Sequence, residues 1–315
     1  MPDRLGQIPR PDLFDKGWRP FSRVHPLLED SFPELGKADD LLRIRTITLG
    51  ICIIGIVLAF TLGLVIAGRS PSHDGDWKQE YARLPQVAID GDRATITDLR
   101  NFSYNADGSI AEATYEERSY DLSGIETLWY GISHFADFGL AHTFLSFGFS
   151  DGRYLVLSIE ARQTVDQSYH PLNGLIRAYG LTYIFADERD IIGLRTHIRD
   201  ERVFLYKVES RPGRIRELFL KIAADANALI EEPKFYNTLT DNCTTSLFQY
   251  RKNPPGLLAS LDYRILLPGY SDELLFDEGV FGSGSSLHAL RKAAWLDPAR
   301  VALEDPAFSE GIRGP

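Results

Sequence analysis

The feature that most constrains this chain is a run of 23 residues without a charged side chain, residues 46–68, between Arg45 and Arg69. At about 1.5 Å per residue, a helix of this length reaches roughly 34 Å and can cross the hydrocarbon core of a bilayer. A signal peptide would begin near the first residue, and a buried soluble helix rarely stays apolar on every face over such a length. The run therefore predicts one transmembrane helix.

The predicted span separates segments of different character. Residues 1–45 are rich in proline and lack a sustained apolar period, which predicts a mostly irregular tail with a short helix at its end, residues 38–45. Residues 69–84 are polar and predict a linker, and residues 85–315 have the length of one large domain. Basic residues nearly balance across the span, but Arg43, Arg45 and the long following segment favour a cytoplasmic N-terminus. We expect a single-pass protein of a bacterial inner membrane with its main domain in the periplasm.

Charge and motif content narrow the possible partners. The net charge of -10 leaves no uniform cationic surface for a phosphate backbone, so nucleic acid is not an expected partner. The sequence has no H-E-x-x-H, no cysteine pair at zinc spacing and no phosphate-binding loop. No metal and no cofactor are therefore predicted.

Residues 85–315 mix strand and helix patterns. The strongest pattern is a hairpin, with strands 142–149 and 153–161 around an Asp-Gly turn. Further strands are predicted at 86–96, 113–120, 180–185 and 203–208, with a helical or irregular apolar stretch at 125–135. Helices are predicted at 215–230 and from about residue 242. This order predicts an α+β domain with an antiparallel sheet plus helices.

Cys243 is a candidate nucleophile because of its place in the sequence. Thr240 and Asp241 are good helix N-cap residues, which places Cys243 in the first turn of a helix. The positive end of the helix dipole stabilises a thiolate and lowers the thiol pKa. Most free cysteines are buried and inert, but the polar residues around Cys243 favour a nucleophile.

His142 is the candidate base because it begins the hairpin. If the loop has three residues, Phe149 pairs with Arg153, and Glu160 then lies directly opposite His142. That carboxylate could orient the imidazole that faces Cys243. A two-residue loop would instead place the two side chains on opposite faces of the sheet. Without the cysteine, an ordinary surface pair of His142 and Glu160 would be the default interpretation.

The remaining candidates are substrate-binding residues. Strand alternation places Ser146 and Ser158 on the His142 face, and Asn242 adjoins the nucleophile in sequence. Arg162 or Arg189 could hold an anionic head group. Residues 186–190, A-D-E-R-D, are otherwise typical of a solvated turn.

Six blocks in order give the chain a family resemblance: R-N-F-S-Y at 100–104, the hairpin at 142–162, Y-I-F-A-D-E-R-D at 183–190, F-Y-N-T-L-T-D-N-C-T-T at 235–245, Y-R-I-L-L-P-G-Y-S-D-E-L-L at 263–275 and F-S-E-G-I-R at 308–313. They resemble the Lnb N-terminal periplasmic domain family. That resemblance implies a circularly permuted papain-like fold in which the His strand precedes the Cys helix. It also implies that Cys243 is the nucleophile and His142 the base.

The resemblance implies a membrane-anchored Cys-His acyltransferase. Its substrate would be a phospholipid or a lipoprotein, and the acyl group would be carried as a thioester on the cysteine. The one predicted span of this chain lies before the domain, whereas the named enzyme of the family is associated with further membrane segments after it. The resemblance therefore supports acyl transfer by a thiol better than it supports a lipoprotein as the acceptor. The alternatives are a thiol hydrolase of the cell envelope, acting as an amidase, peptidase or lipase, and a non-catalytic envelope-binding module.

Overall fold

The structure is a computed structural model that describes residues 38–251, 254, 256, 262–284 and 286–313, with side chains from residue 42 onward. Residues 1–37 of the predicted irregular tail lie outside the described residues. The described chain forms two compact units, one ending at Ala67 and the other beginning at Gly68.

The first unit contains one long helix, α1, Ala38–Ala67. Its segment Leu42–Ala67 is long and apolar enough to cross a membrane, and none of it is buried by protein. The predicted N-terminal apolar helix is confirmed, and it is continuous with the short helix predicted for residues 38–45.

The second unit combines a mixed sheet with helices. Its strands are β1 Gln86–Asp90, β2 Arg93–Tyr104, β3 Ile110–Asp121, β4 Ile125–His134, β5 Ala141–Phe149, β6 Tyr154–Arg162, β7 Gly180–Ala186 and β8 Arg202–Lys207. Its α-helices are α2 Pro171–Leu175, α3 Pro212–Glu231, α4 Cys243–Gln249, α5 Tyr263–Leu266, α6 Ser271–Asp277, α7 Leu287–Ala294 and α8 Phe308–Gly311. Short 3-10 helices occupy Gln79–Tyr81, Leu122–Gly124, Pro268–Tyr270 and Pro298–Arg300, and a π-helix occupies Arg189–Ile198.

The strand order is β1-β2-β7-β6-β5-β4-β8, and β3 lies off this row and pairs antiparallel with β2 from Arg93 opposite Asp121 to Tyr104 opposite Ile110. The pair β2 and β7 is parallel, whereas the pairs β7–β6, β6–β5, β5–β4 and β4–β8 are antiparallel. The α+β class is confirmed, but the sheet is mixed rather than purely antiparallel.

Two predicted elements differ from the structure. The stretch 125–135, predicted as helical or irregular, forms strand β4 up to His134, and this strand lies between β5 and the edge strand β8. This strand is buried on both faces over much of its length, so the alternation that marks a half-buried strand is missing. The predicted strand 86–96 is instead a hairpin of β1 and β2 that turns at Gly91.

Strand β5 separates the two hydrophobic cores of the domain. Leu145 and Phe147 face helix α3, where the Phe147 and Phe219 rings meet edge to face at 5.6 Å. Phe144 faces the other core, together with Ile192 of the π-helix. Burial of one such phenylalanine stabilises the fold by roughly 1.5–3 kcal/mol. The site residues of β5 are therefore held by packing on both sides of the sheet.

Residues 69–84, for which the sequence predicts a linker, belong to the folded unit. The Arg162 guanidinium donates to the carbonyl oxygens of Tyr81 and Ala82 at 2.9 and 3.2 Å and lies 4.2 Å from the Trp77 ring centroid. His73 Nε2 lies 2.9 Å from the Ile230 carbonyl oxygen. These contacts hold in place a segment that was predicted to be a linker because of its polar composition.

Candidate functional site

The hairpin of β5 and β6 sets the position of His142. The pairing runs from Phe144 opposite Ser158 to Gly148 opposite Tyr154, and the Phe149 N–H donates to the Arg153 carbonyl at 3.0 Å. The three-residue loop and the predicted register are therefore confirmed. The same register brings His142 and Glu160 together at the open end of the hairpin.

His142, Ser158 and Glu160 form one hydrogen-bonded group. His142 Nε2 lies 2.6 Å from Ser158 Oγ and 3.2 Å from Glu160 Oε1, and the Ser158 hydroxyl donates to Glu160 Oε1 at 2.7 Å. Because Ser158 gives its one proton to the carboxylate, Nε2 is the donor in the contact with Ser158. In the neutral ring, Nδ1 is then the acceptor that remains for the thiol proton.

Helix α4 begins at Cys243 because Asn242 caps it. The Asn242 carboxamide oxygen accepts from the Thr244 and Thr245 N–H groups, both at 2.8 Å. Its amide nitrogen donates to the Thr238 carbonyl at 2.6 Å. The Asn242 side chain, which was predicted to bind substrate, thus uses these hydrogen bonds to fix the start of the helix.

The cap lies one or two residues later than predicted. Thr240 and Asp241 precede the helix in a tight turn, in which the Asp241 N–H donates to the Asn237 carbonyl at 2.9 Å. Cys243 is nevertheless in the first turn, as predicted, and only 5% of it is exposed.

The Cys243 thiol and the His142 imidazole lie in the wall of one cavity, and each shifts the pKa of the other. Burial favours the neutral thiol, but the charge and hydrogen bond of His142, with hydrogen bonds from Thr143, lower the Cys243 pKa overall. Burial also favours neutral imidazole, but Glu160 and Cys243 outweigh it and raise the His142 pKa to about 9. The arrangement favours a thiolate beside an imidazolium, the reactive form of a cysteine nucleophile.

Arg195 is a site residue that sequence reasoning missed. Its Nη2 donates to Glu160 Oε1 at 3.3 Å, and its Nη1 donates to the Ile191 carbonyl at 2.9 Å. Burial alone would raise the Glu160 pKa, but His142 and Arg195 hold it well below its usual range. The sequence signal that could have identified Arg195 is the apolar run around Ile191, because it indicates that this π-helix is buried and that its arginine is buried with it.

Residues 187–190 form an ionic cluster rather than the predicted solvated turn. Asp190 is fully buried and accepts two hydrogen bonds from the Arg100 guanidinium, both at 2.8 Å. Glu188, 1% exposed, pairs with Arg313 at 2.5 Å. The cluster fixes the start of the π-helix whose later turn carries Arg195.

Three predicted substrate-binding residues lie away from the thiol and take part in packing. Ser146 donates to Glu188 at 2.5 Å and accepts from Arg313 at 2.9 Å. Arg189 donates to the carbonyl oxygens of residues 303, 305 and 306, and Arg162 holds the segment before β1. Their charged and polar groups are occupied by protein atoms, so the structure does not bring them to Cys243.

A cavity of about 350 Å³ opens at the thiol. Its wall includes His142, Glu160, Arg195 and the adjacent pair Asn242 and Cys243, which together come from four segments of the chain. This volume lies within the range of sites that enclose small ligands. Among the described residues, no group of three or more His, Cys, Asp or Glu side chains is arranged to hold a metal ion.

These features define a class: an α+β domain with a cysteine, a histidine and a carboxylate at one cavity, on a chain with an apolar helix. The sequence model of the Lnb N-terminal periplasmic domain family matches residues 111–269, half of the chain, and the chain belongs to this family. The matched range includes His142, Glu160, Arg195 and Cys243. No curated protein matches the chain, and no solved structure matches it.

Family membership associates the protein with the cell envelope. A periplasmic domain and one N-terminal apolar helix fit a single-pass membrane protein. The circularly permuted papain-like topology stays a prediction.

Proposed function

We propose that this protein is a membrane-anchored periplasmic acyltransferase whose acyl group is carried as a thioester on Cys243. The observation that carries the proposal is the meeting of a buried thiol, His142 and Glu160 at one cavity. The apolar helix favours a lipid as the acyl donor, because it ties the domain to a membrane.

The first half-reaction forms the thioester. His142 takes the Cys243 proton, and the thiolate attacks the carbonyl carbon of a lipid ester. The tetrahedral intermediate then collapses as its C–O bond breaks, and the imidazolium returns the proton to the leaving alcohol. The Asn242 cap takes the N–H groups of Thr244 and Thr245, so the Cys243 N–H is the first-turn donor available to the oxyanion.

The second half-reaction transfers the acyl group to an amine, such as a lipoprotein N-terminus. The amine attacks the thioester carbonyl, His142 accepts a proton from the attacking nitrogen, and the C–S bond breaks. The proton and the thiolate restore the starting pair. If water were the acceptor in place of the amine, the same site would act as a hydrolase.

The central experiment traps the thioester. The full chain is reconstituted in vesicles that contain phospholipid with an alkyne on the acyl chain, and hydroxylamine-sensitive labelling of the protein is measured. We expect wild type and Cys52→Ala to be labelled and Cys243→Ala to remain unlabelled, since Cys52 lies on α1 outside the domain. Labelling of Cys243→Ala at the wild-type level would overturn the proposal.

The acceptor is tested in the same vesicles. A peptide with a free N-terminal amine should gain the tagged acyl chain, and release of free fatty acid alone would assign a hydrolase instead. His142→Ala should suppress transfer nearly as far as Cys243→Ala. The double variant should be little worse than either, because residues that act as a unit are not additive.

The proposed orientation, with a cytoplasmic N-terminus and the domain outside, follows from Arg43 and Arg45 beside the span. A reporter that works only outside the cytoplasm should give signal when it is fused after Pro315 and none when it is fused near Gly36. The reverse pattern would place the thiol in the cytoplasm and exclude envelope lipids of the outer face as substrates.

A further inference from the structure

Three loops of the domain each expose a large apolar side chain. Phe138, between β4 and β5, is 87% exposed, and Leu172 on α2 is 63% exposed. Leu239, in the loop before α4, is 42% exposed. Exposed apolar side chains that occur singly are common, so their arrangement decides whether they have a role.

The same three loops line the cavity that holds Cys243. The neighbours of these residues in sequence, Leu140, Pro171 and Thr238, all belong to the cavity wall. The Thr238 hydroxyl donates to the Pro171 carbonyl at 2.6 Å, which fastens two of the loops together. Phe138, Leu172 and Leu239 each lie within two positions of a residue of the cavity wall, and we call these three exposed side chains the apolar rim.

The Phe138 loop is held in an unfavourable backbone conformation. Phe138 has a φ of +59°, a left-handed conformation that bulky residues rarely adopt, and it is followed by Gly139 at +77°. The Gly139 carbonyl accepts from the Gly269 N–H at 2.9 Å, and a Cβ at Gly139 would lie 2.3 Å from the Tyr270 ring. Packing thus fixes a strained loop whose aromatic ring points to solvent, which indicates a function for that ring.

The start of the domain is fastened beside this rim. Arg69 donates from Nη1 to the carbonyl oxygen of Ile176, the residue that ends α2, at 2.9 Å. In sequence, Arg69 follows the last residue of the apolar helix, Ala67, by two positions. The part of the domain chain that continues into the membrane-spanning segment is therefore attached to the element that carries Leu172.

We propose that the apolar rim of Phe138, Leu172 and Leu239 inserts into the surface of the bilayer that the chain spans, so that the cavity opens toward lipid. We choose the bilayer as the partner of the rim because the apolar helix that precedes the domain ties the domain to a membrane. Apolar side chains of this kind insert shallowly at the boundary between headgroups and acyl chains. This inference deepens the proposed function, on which it rests for the identity of the lipid as acyl donor. It supplies the route by which an ester-bearing lipid reaches Cys243 without crossing water.

Depth-dependent quenching tests the insertion without any need for activity. The full chain with Phe138→Trp is reconstituted in phosphatidylcholine and phosphatidylglycerol vesicles whose acyl chains carry bromine near the carbonyl end. After subtraction of the parent signal, the added tryptophan should be strongly quenched. Ile89→Trp is the matched control, because Ile89 is 42% exposed on edge strand β1 and lies outside the rim.

The outcomes separate the bilayer from other occupants. Equal quenching of the two tryptophans would overturn the proposal. Protection of Phe138→Trp from aqueous acrylamide without quenching by bromolipid would mean that a protein partner or a second copy covers the rim, and would also overturn it.

A charge variant tests the route to the thiol. The double variant Phe138→Glu and Leu172→Glu should lower turnover of vesicle-embedded lipid by about tenfold or more, since each carboxylate opposes burial of its loop. Alkylation of Cys243 by iodoacetamide should be unchanged, which shows that the site is intact. Unchanged lipid turnover would overturn the route, whereas absence of turnover in wild type would reject the acyltransferase and leave the quenching result standing.

Discussion

Arg195 and His142 share one carboxylate oxygen: Arg195 Nη2 lies 3.3 Å and His142 Nε2 3.2 Å from Glu160 Oε1. The carboxylate is thus held from one side by a buried arginine and supports the imidazole on the other. This extends the site from a Cys-His-Glu group to a chain of four residues.

The pH dependence of the reaction should show a limit near pH 9. The thiolate-imidazolium pair forms as the pH rises through the lowered Cys243 pKa, and it is lost as the pH rises through the His142 pKa of about 9. We expect kcat/KM for the first half-reaction to rise and then fall across this interval. A profile that only rises through the ordinary pKa of a thiol would show that no ion pair forms.

Glu160→Gln should move the alkaline limit to lower pH. The Glu160 charge raises the His142 pKa, so its removal leaves burial to lower that pKa below about 9. We also expect a smaller rate loss than for His142→Ala, because Glu160 orients the ring and transfers no proton. Glu80→Gln, on the wall of the same cavity, is the matched control and should keep the wild-type limit. An unmoved limit in Glu160→Gln would show that the carboxylate does not act through His142.

Arg195→Met should lower kcat/KM by roughly 10- to 100-fold, because the Glu160 oxygen that orients His142 loses one of its two fixed partners. The alkaline limit should not fall below about 9 as it does in Glu160→Gln, since the carboxylate charge remains. This difference separates positioning from general damage to the fold. Arg199→Met, which removes a cation from the same cavity wall, should change kcat/KM little.

Arg313→Met should destabilise the domain by roughly 3–5 kcal/mol, because it leaves the Glu188 carboxylate buried without its counter-charge. The free energy of unfolding is obtained from urea titration of the detergent-solubilised chain. Arg216→Met removes an exposed pair with Asp92 and should cost about 0–1 kcal/mol. Equal losses of unfolding free energy in the two variants would show that the buried ion pair contributes no more to stability than the exposed one.

The central part of the site could be predicted from local sequence rules. Strand alternation and a three-residue loop fix which side chains lie opposite each other, and this put Glu160 beside His142. Cap chemistry placed Cys243 at a helix start, although the cap is Asn242. Both inferences use residues close together in sequence, where backbone geometry leaves few alternatives.

The buried ions could not be predicted in the same way. Residues 186–190 look solvated because charged side chains are usually exposed, and burial is favourable only when the partner is present. Those partners, Arg100 and Arg313, lie 90 and 125 positions away along the chain from Asp190 and Glu188. Arg195 was missed for the same reason, because its role depends on the placement of a helix that this cluster fixes.

The long-range ion pairs also determine when the site can be assembled. A periplasmic domain crosses its membrane as an extended chain and emerges in sequence order, so Cys243 arrives well before Arg313. Until Arg313 emerges, Glu188 has no counter-ion and the helix that carries Arg195 is not anchored. Under the proposed mechanism, Cys243 is therefore an ordinary thiol during export, and it becomes a nucleophile only after the whole domain has crossed the membrane.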